Sequence, residues 1–494
     1  MEKVLEQRDL RMRRLEIAGA VGLLLYTPYL FFPSSGHEGI FGLLLSATVL
    51  LIASHVWFEG YRWQMAPAYF LAFSLVLYEC MHWFWGFRAP YHFGVAALLC
   101  DVAAIVISLL IPVFRLPAPT GPYKVGTQSR YIIDQSRRDP FSDHPDGGRE
   151  LMIQIWYPVD PSMRNLAPAP YRDKRITTLK DAHFALAKSH SMVGASLSHS
   201  EDRYPVLLYT PSWSGIRTEC TVQVEELASH GYLVVGIDHP YSSRIVAFPD
   251  GRIARRKFSG DEDYSSEAAV EAFARTADQQ VEIRAQDASF VLDVLENLNR
   301  NDSDGLLTGR LDLAHVGIFG FSLGGGTAAQ ACWLDRRFRA GLDMGGMIAG
   351  ESAKQGAFVP FFFMFEGMYE SFPYASGSDL SGVTSRKRRD IEFTRKQFAQ
   401  IKKLLDKFGG YWMVIRGIQH LEFCDSPFFS PLRRGSASPT AIARIISRYA
   451  LAFFNKQLRN IEQSLLDGPS PDVPKVRFEV WEPKAPSQNL GQRS

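Results

Sequence analysis

The sequence is poor in cysteine and has almost no excess of either charge. Its 494 residues carry 54 Lys and Arg against 52 Asp and Glu, a net charge of +2. Such a chain lacks the basic excess that neutralises phosphates, so nucleic acid is not an expected partner. The five cysteines are too widely spaced for a dense disulfide framework and form no CxxC metal motif, which suits a reducing compartment. They are Cys80, Cys100, Cys220, Cys332 and Cys424.

Charge is scarcest near the N-terminus, where four apolar runs dominate. Each run has about 18–22 residues, enough to cross a hydrocarbon layer of about 30 Å as a helix. A cleaved signal peptide would instead show one shorter apolar core and a small-residue cleavage site. We therefore predict an all-α transmembrane module of four helices over residues 1–115. The runs are residues 15–32, 39–58, 66–87 and 93–114.

Basic residues predict how this module is oriented. They cluster before the first run and after the fourth, whereas the three connections hold only Arg62 and Arg88. Basic flanks stay on the cytoplasmic side of a membrane. We therefore expect a multi-pass membrane protein with both ends, and the large C-terminal part, in the cytoplasm.

Three ionisable side chains interrupt the third and fourth runs: Glu79, His82 and Asp101. Glu79 and Asp101 fall at similar depth, and the simplest interpretation is a carboxyl pair that shares a proton and fixes helix packing. Glu79 and His82 also have the i, i+3 spacing of metal ligands. No second such pair accompanies them, so we expect no metal.

Beyond a linker at residues 116–125, short β-rich runs alternate with helical patterns. This alternation is typical of an α/β fold with a mostly parallel sheet and helices on both faces. We expect a catalytic domain over residues 126–467, with a cap or insertion at about 350–410, and a loosely ordered tail at 468–494. A basic amphipathic helix in the insertion is expected to pack on the sheet; the alternative is contact of its basic face with anionic lipid.

The strongest chemical signal is the segment Gly320-Phe321-Ser322-Leu323-Gly324. An apolar strand precedes it and an alanine-rich helix follows it, as a nucleophile elbow requires. Small residues two places from the serine avoid clashes in the strained turn. The pattern predicts Ser322 as the nucleophile of an α/β-hydrolase.

A serine nucleophile needs a base and a carboxylate, which follow it along the chain in this fold. His420 is the only histidine after Ser322, and it lies in a polar turn behind an apolar strand. Asp343 ends the strand that follows the serine's helix, so we expect it to orient His420. The other acids considered are Asp335, Asp379 and Asp390.

An oxyanion hole requires two backbone N–H groups aimed at the developing negative charge. We expect one from Leu323, directly after the nucleophile, and the other from Trp213 in the loop after an apolar strand. His239 ends another strand, and it either lines the pocket or has a structural role.

These motifs resemble the platelet-activating-factor acetylhydrolase family of α/β-hydrolases over about residues 123–456. The resemblance rests on GGRELMIQIWYP, YPVLLYTPSWSGIRTECTVQVEELASHGYLVVGIDHPYSS, RAQDASFVLDVLENL, GFSLGGGTAAQACWLDRRFRAGLDMGG and RGIQH. It implies cofactor-independent hydrolysis of phospholipids with short or oxidised sn-2 acyl chains. The family's triad maps onto Ser322, Asp343 and His420, and its oxyanion donors map onto Trp213 and Leu323.

The chain departs from the family in three respects. Pro211-Ser212 replaces the usual His-Gly pair in the oxyanion loop, the segment between Asp343 and His420 is long, and the membrane module is additional. The leading hypothesis is a membrane-anchored serine esterase that acts on amphiphilic lipid esters. The alternatives are an acyltransferase or thioesterase with the same triad, and a catalytically inactive lipid sensor or scaffold.

Overall fold

The chain divides into two compact units in the computed structural model. Residues 170–188 and 427–434 group with the N-terminal unit, although both lie within the predicted catalytic domain. The division is therefore more interleaved along the chain than a single boundary at residue 115. The structure describes residues 13–32, 37–139, 141–142, 147–164, 166–258, 262–371, 374, 377–433, 435 and 437–483.

The N-terminal unit contains four helices with apolar side chains on both their inner and outer faces. Leu23, Leu75 and Ala104 are buried between the helices, whereas Leu43 and Phe73 are about 70% exposed (74% and 69%). The helices are α1 (Arg14–Phe31), α2 (Glu38–Ser54, continued by a π-turn over His55–Glu59), α3 (Ala66–Trp85) and α4 (Tyr91–Leu110).

Two of the four predicted runs are long and apolar enough to cross a membrane by length and composition. They are α2 with its π-turn, Glu38–Glu59, and α4, Tyr91–Leu110. The other two runs also form helices, but α1 carries Glu16 and Pro28, and α3 carries Glu79 and His82. These residues lower the hydropathy of α1 and α3. The prediction of four membrane spans is therefore not confirmed.

The predicted pairing of Glu79 with Asp101 is wrong. Glu79 accepts a hydrogen bond from the Tyr26 hydroxyl of α1. Both carboxyl oxygens of the buried Asp101 lack a partner among the described residues. His82 uses Nδ1 to bind the backbone oxygen of Phe87 at 2.9 Å.

The second unit is built on one large mixed sheet. Six neighbouring strands, in the order β6-β5-β9-β10-β11-β12, run parallel, and antiparallel strands flank them on both sides. The predicted α/β-hydrolase class is confirmed. The described strands are β1 (Val125–Arg138), β2 (Gly148–Pro158), β3 (Pro168–Pro170), β4 (Lys188–Val193), β5 (Tyr204–Thr210), β6 (Leu233–Asp238), β7 (Ile245–Ala247), β8 (Ile253–Arg255), β9 (Leu311–Phe321), β10 (Phe338–Met344), β11 (Phe361–Glu366), β12 (Gly410–Ile415) and β13 (Val476–Trp481), of which β7 and β8 form a separate two-stranded sheet.

Helices cover both faces of this sheet because its central strands are apolar on both sides. Successive residues such as Ile318 and Phe319 of β9 belong to different core clusters. Helices α6, α7 and α9 pack into one cluster, and α5 and α10 pack into the other. The helices are α5 (Thr221–Ser229), α6 (Glu267–Arg300), α7 (Leu323–Leu334), α8 (Ser352–Gln355), α9 (Ser385–Phe408) and α10 (Pro439–Arg459).

The C-terminal segment is more ordered than its composition predicts. Residues 476–481 form β13, which pairs antiparallel with β12 and extends the sheet by one strand. Phe478 is buried against Tyr411 and Phe362. The prediction of a loosely ordered tail is thus wrong for this strand, because alternate apolar residues there complete a core. Residues 484–494 lie outside the described part of the chain.

The predicted cap region is integrated with the sheet. Strand β11 lies between β10 and β12, and α9 buries Ile401 and Leu405 in the core cluster beneath it. The expected packing of this basic helix on the sheet is therefore observed. Contact of its exposed basic face with anionic lipid stays a prediction.

Candidate active site

Ser322 lies in a sharp turn between β9 and α7. Its backbone angles are φ 56° and ψ −124°, a left-handed conformation that is strained for a residue with a side chain. The turn is tight because glycines surround it: a Cβ added to Gly320 would lie 2.1 Å from the backbone of Gly324. The N–H of Ser322 donates to the carbonyl of Met344 at 2.9 Å, which ties the turn to the end of β10.

Ser322 opens into a cavity of about 500 Å³ whose wall also includes Leu323, Trp213 and His420. Four of the residues predicted from the sequence therefore share one cavity. The remaining wall is strongly aromatic, and part of it comes from one face of α9. The aromatic lining residues are Tyr264, Phe273, Phe365, Tyr369, Tyr374, Phe393 and Phe398.

His420 reaches this cavity from the turn that follows β12, and its ring packs on Phe321 with a centroid distance of 4.9 Å. Its Nδ1 is 2.6 Å from Oε1 of Glu366, the last residue of β11. Burial alone favours the neutral imidazole, but the charges of Glu366, Glu262 and Glu219 outweigh it and raise the pKa of His420. A hydrogen bond at Nδ1 leaves Nε2 for proton exchange with a substrate or nucleophile.

The expected contact between Asp343 and His420 is not seen in the structure, and the role of Asp343 as the orienting acid stays a prediction. Its Oδ1 accepts the N–H of Gly346 at 2.6 Å, and its Oδ2 has no partner in the part of the chain that the structure describes. A Cβ added to Gly325 would lie 1.8 Å from that Oδ1, so the carboxyl group sits beneath the first turn of α7. Burial raises the pKa of Asp343 well above its ordinary value, with the charge of Glu366 acting in the same direction.

Strand register explains why Glu366, and not Asp343, contacts His420. Asp343 pairs with Phe363 across the parallel β10–β11 pair, so Glu366 lies three residues further along its strand. At about 3.3 Å per residue, Glu366 lies about 10 Å further than Asp343 toward the carboxyl edge of the sheet. The signal that sequence reasoning missed is the single charge at the end of an otherwise apolar strand, FFFMFE.

The two predicted oxyanion donors lie on segments that approach each other closely. Leu323 begins α7, where the first N–H groups of a helix have no intrahelical acceptor. A Cβ added to Gly324 would lie 2.0 Å from the backbone oxygen of Thr210, so the helix start touches the loop that leads to Trp213. Among the described residues, neither the Leu323 nor the Trp213 N–H donates to a protein acceptor.

His239 is fully buried and is not part of the described cavity wall, so it does not line the pocket. Its Nδ1 is 2.9 Å from Oδ2 of Asp287, and its Nε2 is 3.0 Å from the hydroxyl of Thr210. Burial lowers the pKa of His239 to about 4, with nearby Arg284 and Arg149 contributing. The imidazole is therefore neutral, and it links β5 to α6 as a structural residue.

Only one group of side chains in the described residues has metal-ligand spacing, and it lies in the N-terminal unit. Ligand atoms of Glu16, His55 and Glu59 all fall within 4.8 Å of one another. Both carboxylate oxygens of Glu16 already accept hydrogen bonds from Nη1 of Arg62, at 2.8 and 2.7 Å. His55 binds Glu59 and Tyr69 through its two ring nitrogens. These side chains therefore already form an ion-pair and hydrogen-bond network with one another and with Arg62 and Tyr69.

Comparison with known proteins identifies the family of this chain. Residues 111–466 match the family model of platelet-activating factor acetylhydrolase, isoform II. The chain belongs to this family. It is 27% identical over 420 residues to a probable 1-alkyl-2-acetylglycerophosphocholine esterase from Arthroderma benhamiae, covering 77% of this chain and 98% of that protein. It is 26% identical over 399 residues to platelet-activating factor acetylhydrolase from Cavia porcellus, covering 74% and 85%.

A solved structure shares both fold and sequence with this family member. A ferulic acid esterase from Streptomyces cinnamoneus superposes with a TM-score of 0.56 at 26% identity, over 74% of this chain and 98% of that one. The family, the relatives and this structural neighbour together establish that the chain is a carboxylic ester hydrolase.

The first prediction separates the two buried acids. We expect Glu366→Gln to lower kcat by about 10³–10⁴, as loss of the acid of a serine triad does. Asp343→Asn is the matched control, and we expect it to lower kcat by less than about tenfold, because it leaves the imidazole's partner in place. Steady-state kinetics with p-nitrophenyl acetate measures both, and the reverse order of effects would assign the role to Asp343.

A second prediction concerns pH. The base must be neutral, so activity falls as the pH drops through the pKa of His420, which lies above the ordinary imidazole value of about 6.5. We expect the acidic limb of kcat/KM to move to lower pH in Glu366→Gln, because the hydrogen bond and charge that raise this pKa are removed. Thr394→Ala, on the same cavity wall, is the control. A limb that does not move would show that Glu366 is not coupled to the base.

Proposed function

We propose that this esterase works through a Ser322, His420 and Glu366 triad. The observation that carries the proposal is the hydrogen bond of 2.6 Å between His420 and Glu366 in the same cavity as the strained Ser322. A serine hydroxyl is a weak nucleophile by itself, and an adjacent imidazole held in one tautomer by a carboxylate is the usual means of activating it.

The reaction then has two halves. Ser322 Oγ attacks the acyl carbonyl carbon while His420 Nε2 takes the hydroxyl proton, and the carbonyl oxygen becomes an oxyanion facing the N–H groups of Leu323 and Trp213. Collapse breaks the ester bond, His420 returns the proton to the leaving alcohol, and an acyl-enzyme remains. Water, deprotonated by His420, attacks that ester and releases the carboxylic acid and free Ser322. Glu366 stabilises the imidazolium formed in each half.

The substrate we propose is an amphiphilic lipid ester with a short or oxidised acyl chain. Two relatives are named for acetyl ester hydrolysis of an alkyl glycerophosphocholine or of platelet-activating factor. The cavity supports an apolar acyl group, because Phe365, Phe393 and Phe398 form much of the wall around Ser322.

The test is a paired comparison of Ser322→Ala with Thr394→Ala in the detergent-solubilised full chain. We expect Ser322→Ala to lose hydrolysis of an sn-2 acetyl phospholipid and labelling by a fluorophosphonate, because both require the Oγ nucleophile. Thr394→Ala should keep labelling and most activity.

The outcome also distinguishes the alternative functions. Hydrolysis or labelling that survives in Ser322→Ala would refute the proposal, and an unlabelled wild-type chain would indicate an inactive sensor. Faster transfer to an added alcohol than to water would indicate an acyltransferase, and preference for a thioester would indicate a thioesterase.

We also propose that the N-terminal unit is embedded in a membrane with the catalytic unit on the cytoplasmic side. Large apolar side chains are exposed on the outer surface of its helices, including Leu50, Phe70 and Trp83 at 67%, 66% and 81%. Soluble monomers rarely expose so many together, and lipid is the environment in which such a surface is stable.

Reporter fusions test this topology and the number of spans. Four spans predict that fusions after Tyr61, Arg115 and Ser494 all report the cytoplasmic side, because an even number of helices precedes each point. Spanning by α2 and α4 alone predicts that only the fusion after Tyr61 reports the outer side. Release of the full chain by an alkaline carbonate wash would contradict membrane embedding altogether.

A further inference from the structure

The loop that presents Trp213 is held by two charged side chains. In this oxyanion loop, residues 210–213, Arg284 of α6 donates to the carbonyl of Pro211 at 2.8 Å and to the carbonyl of Ser212 at 3.2 Å. Glu219 accepts the Ser212 N–H at 2.9 Å and its hydroxyl at 2.7 Å. The carbonyls of Pro211 and Ser212 therefore face Arg284.

The direction of the Trp213 N–H follows from this contact through the geometry of the peptide bond. The carbonyl of Ser212 and the N–H of Trp213 belong to one planar trans peptide, in which C=O and N–H point in opposite directions. Because Arg284 binds that carbonyl, the N–H of Trp213 is directed to the opposite side. Trp213 lines the cavity with Ser322, so the Arg284 contact leaves this N–H free to face the reacting centre.

The environment of Arg284 indicates that its guanidinium does more than pack. It is fully buried, and its remaining hydrogen bonds, from Nε and Nη2, go to the hydroxyl of Ser242 at 2.9 and 2.7 Å. Within the described chain, no carboxylate oxygen lies within ion-pair distance of it. Arg149, which is equally buried, is paired with Asp287 and Asp139. A buried charge that binds only neutral oxygens is costly, and the rigid fork of arginine suits it to fixing two successive carbonyls.

We propose that Arg284 is a positioning residue that builds the oxyanion hole by fixing the Ser212–Trp213 peptide. The inference rests on the proposed function, in which Ser322 is the acyl nucleophile. Without this contact the peptide is able to rotate and present its carbonyl to the oxyanion, which would remove one donor and add a repulsive dipole.

The experiment compares Arg284→Lys and Arg284→Gln with Arg149→Lys, which alters an equally buried arginine that does not contact the loop. Rates are expressed per active site after fluorophosphonate labelling to completion, so that unfolded protein is not counted. We expect both Arg284 variants to lose about 10²–10³ in kcat, the usual cost of one oxyanion donor, with KM changed by less than about threefold. Arg149→Lys should lower only the thermal unfolding midpoint.

The affinity for a transition-state analogue is a second measurement, and it would not change if Arg284 had only a structural role. A trifluoromethyl ketone forms a tetrahedral oxyanion on the serine, and we expect Arg284 variants to weaken its binding by the same factor as kcat/KM. If these variants fail to fold, Ser242→Ala, which removes two hydrogen bonds from Arg284 and no charge, should weaken the analogue more than it raises KM.

Two outcomes separate the failure of this inference from failure of the proposed function. Unchanged kcat per site and unchanged analogue affinity in the folded variants would overturn the role of Arg284 while leaving the esterase intact. Absence of Ser322-dependent hydrolysis by the wild-type chain would refute the proposed function, and the role of Arg284 with it.

Discussion

The close approach of backbone to backbone around the start of α7 is the constraint on which the site depends. Gly320, Gly324 and Gly325 leave no room for a Cβ, because the space is taken by helix backbone, by the carbonyl of Thr210 and by the carboxyl of Asp343. This contact holds Ser322 in its strained conformation. It also brings the start of α7 against the oxyanion loop. Ser322 and the candidate oxyanion donors thus belong to one rigid packing arrangement.

Local surroundings distinguish chemically similar groups around this arrangement. Asp343 and Glu366 are both fully buried and lie near the ends of adjacent strands, but only Glu366 contacts His420. His239 and His420 both contact a carboxylate, yet burial lowers the pKa of His239 whereas surrounding acids raise that of His420. Environment, and not residue type, therefore separates the structural members from the candidate catalytic ones.

The two units differ in how completely their apolar side chains are buried. The catalytic unit buries its apolar residues on both faces of one sheet, as a protein in water must. The N-terminal unit buries a smaller apolar core and leaves residues such as Leu43 and Trp83 outside. The match to the family model begins at residue 111, directly after the fourth helix of the N-terminal unit.

The sequence by itself determined the fold class, the elbow at Ser322 and the histidine, because these depend on local patterns: strand, glycine turn, buried helix and a single later histidine. Tertiary structure decided which acid contacts His420 and whether the C-terminal segment is ordered. Interstrand register places Glu366 nearer than Asp343 to the carboxyl edge of the sheet. Residues 476–481 form a strand because they pair with the edge strand β12. Register and pairing are long-range properties, which local composition does not encode.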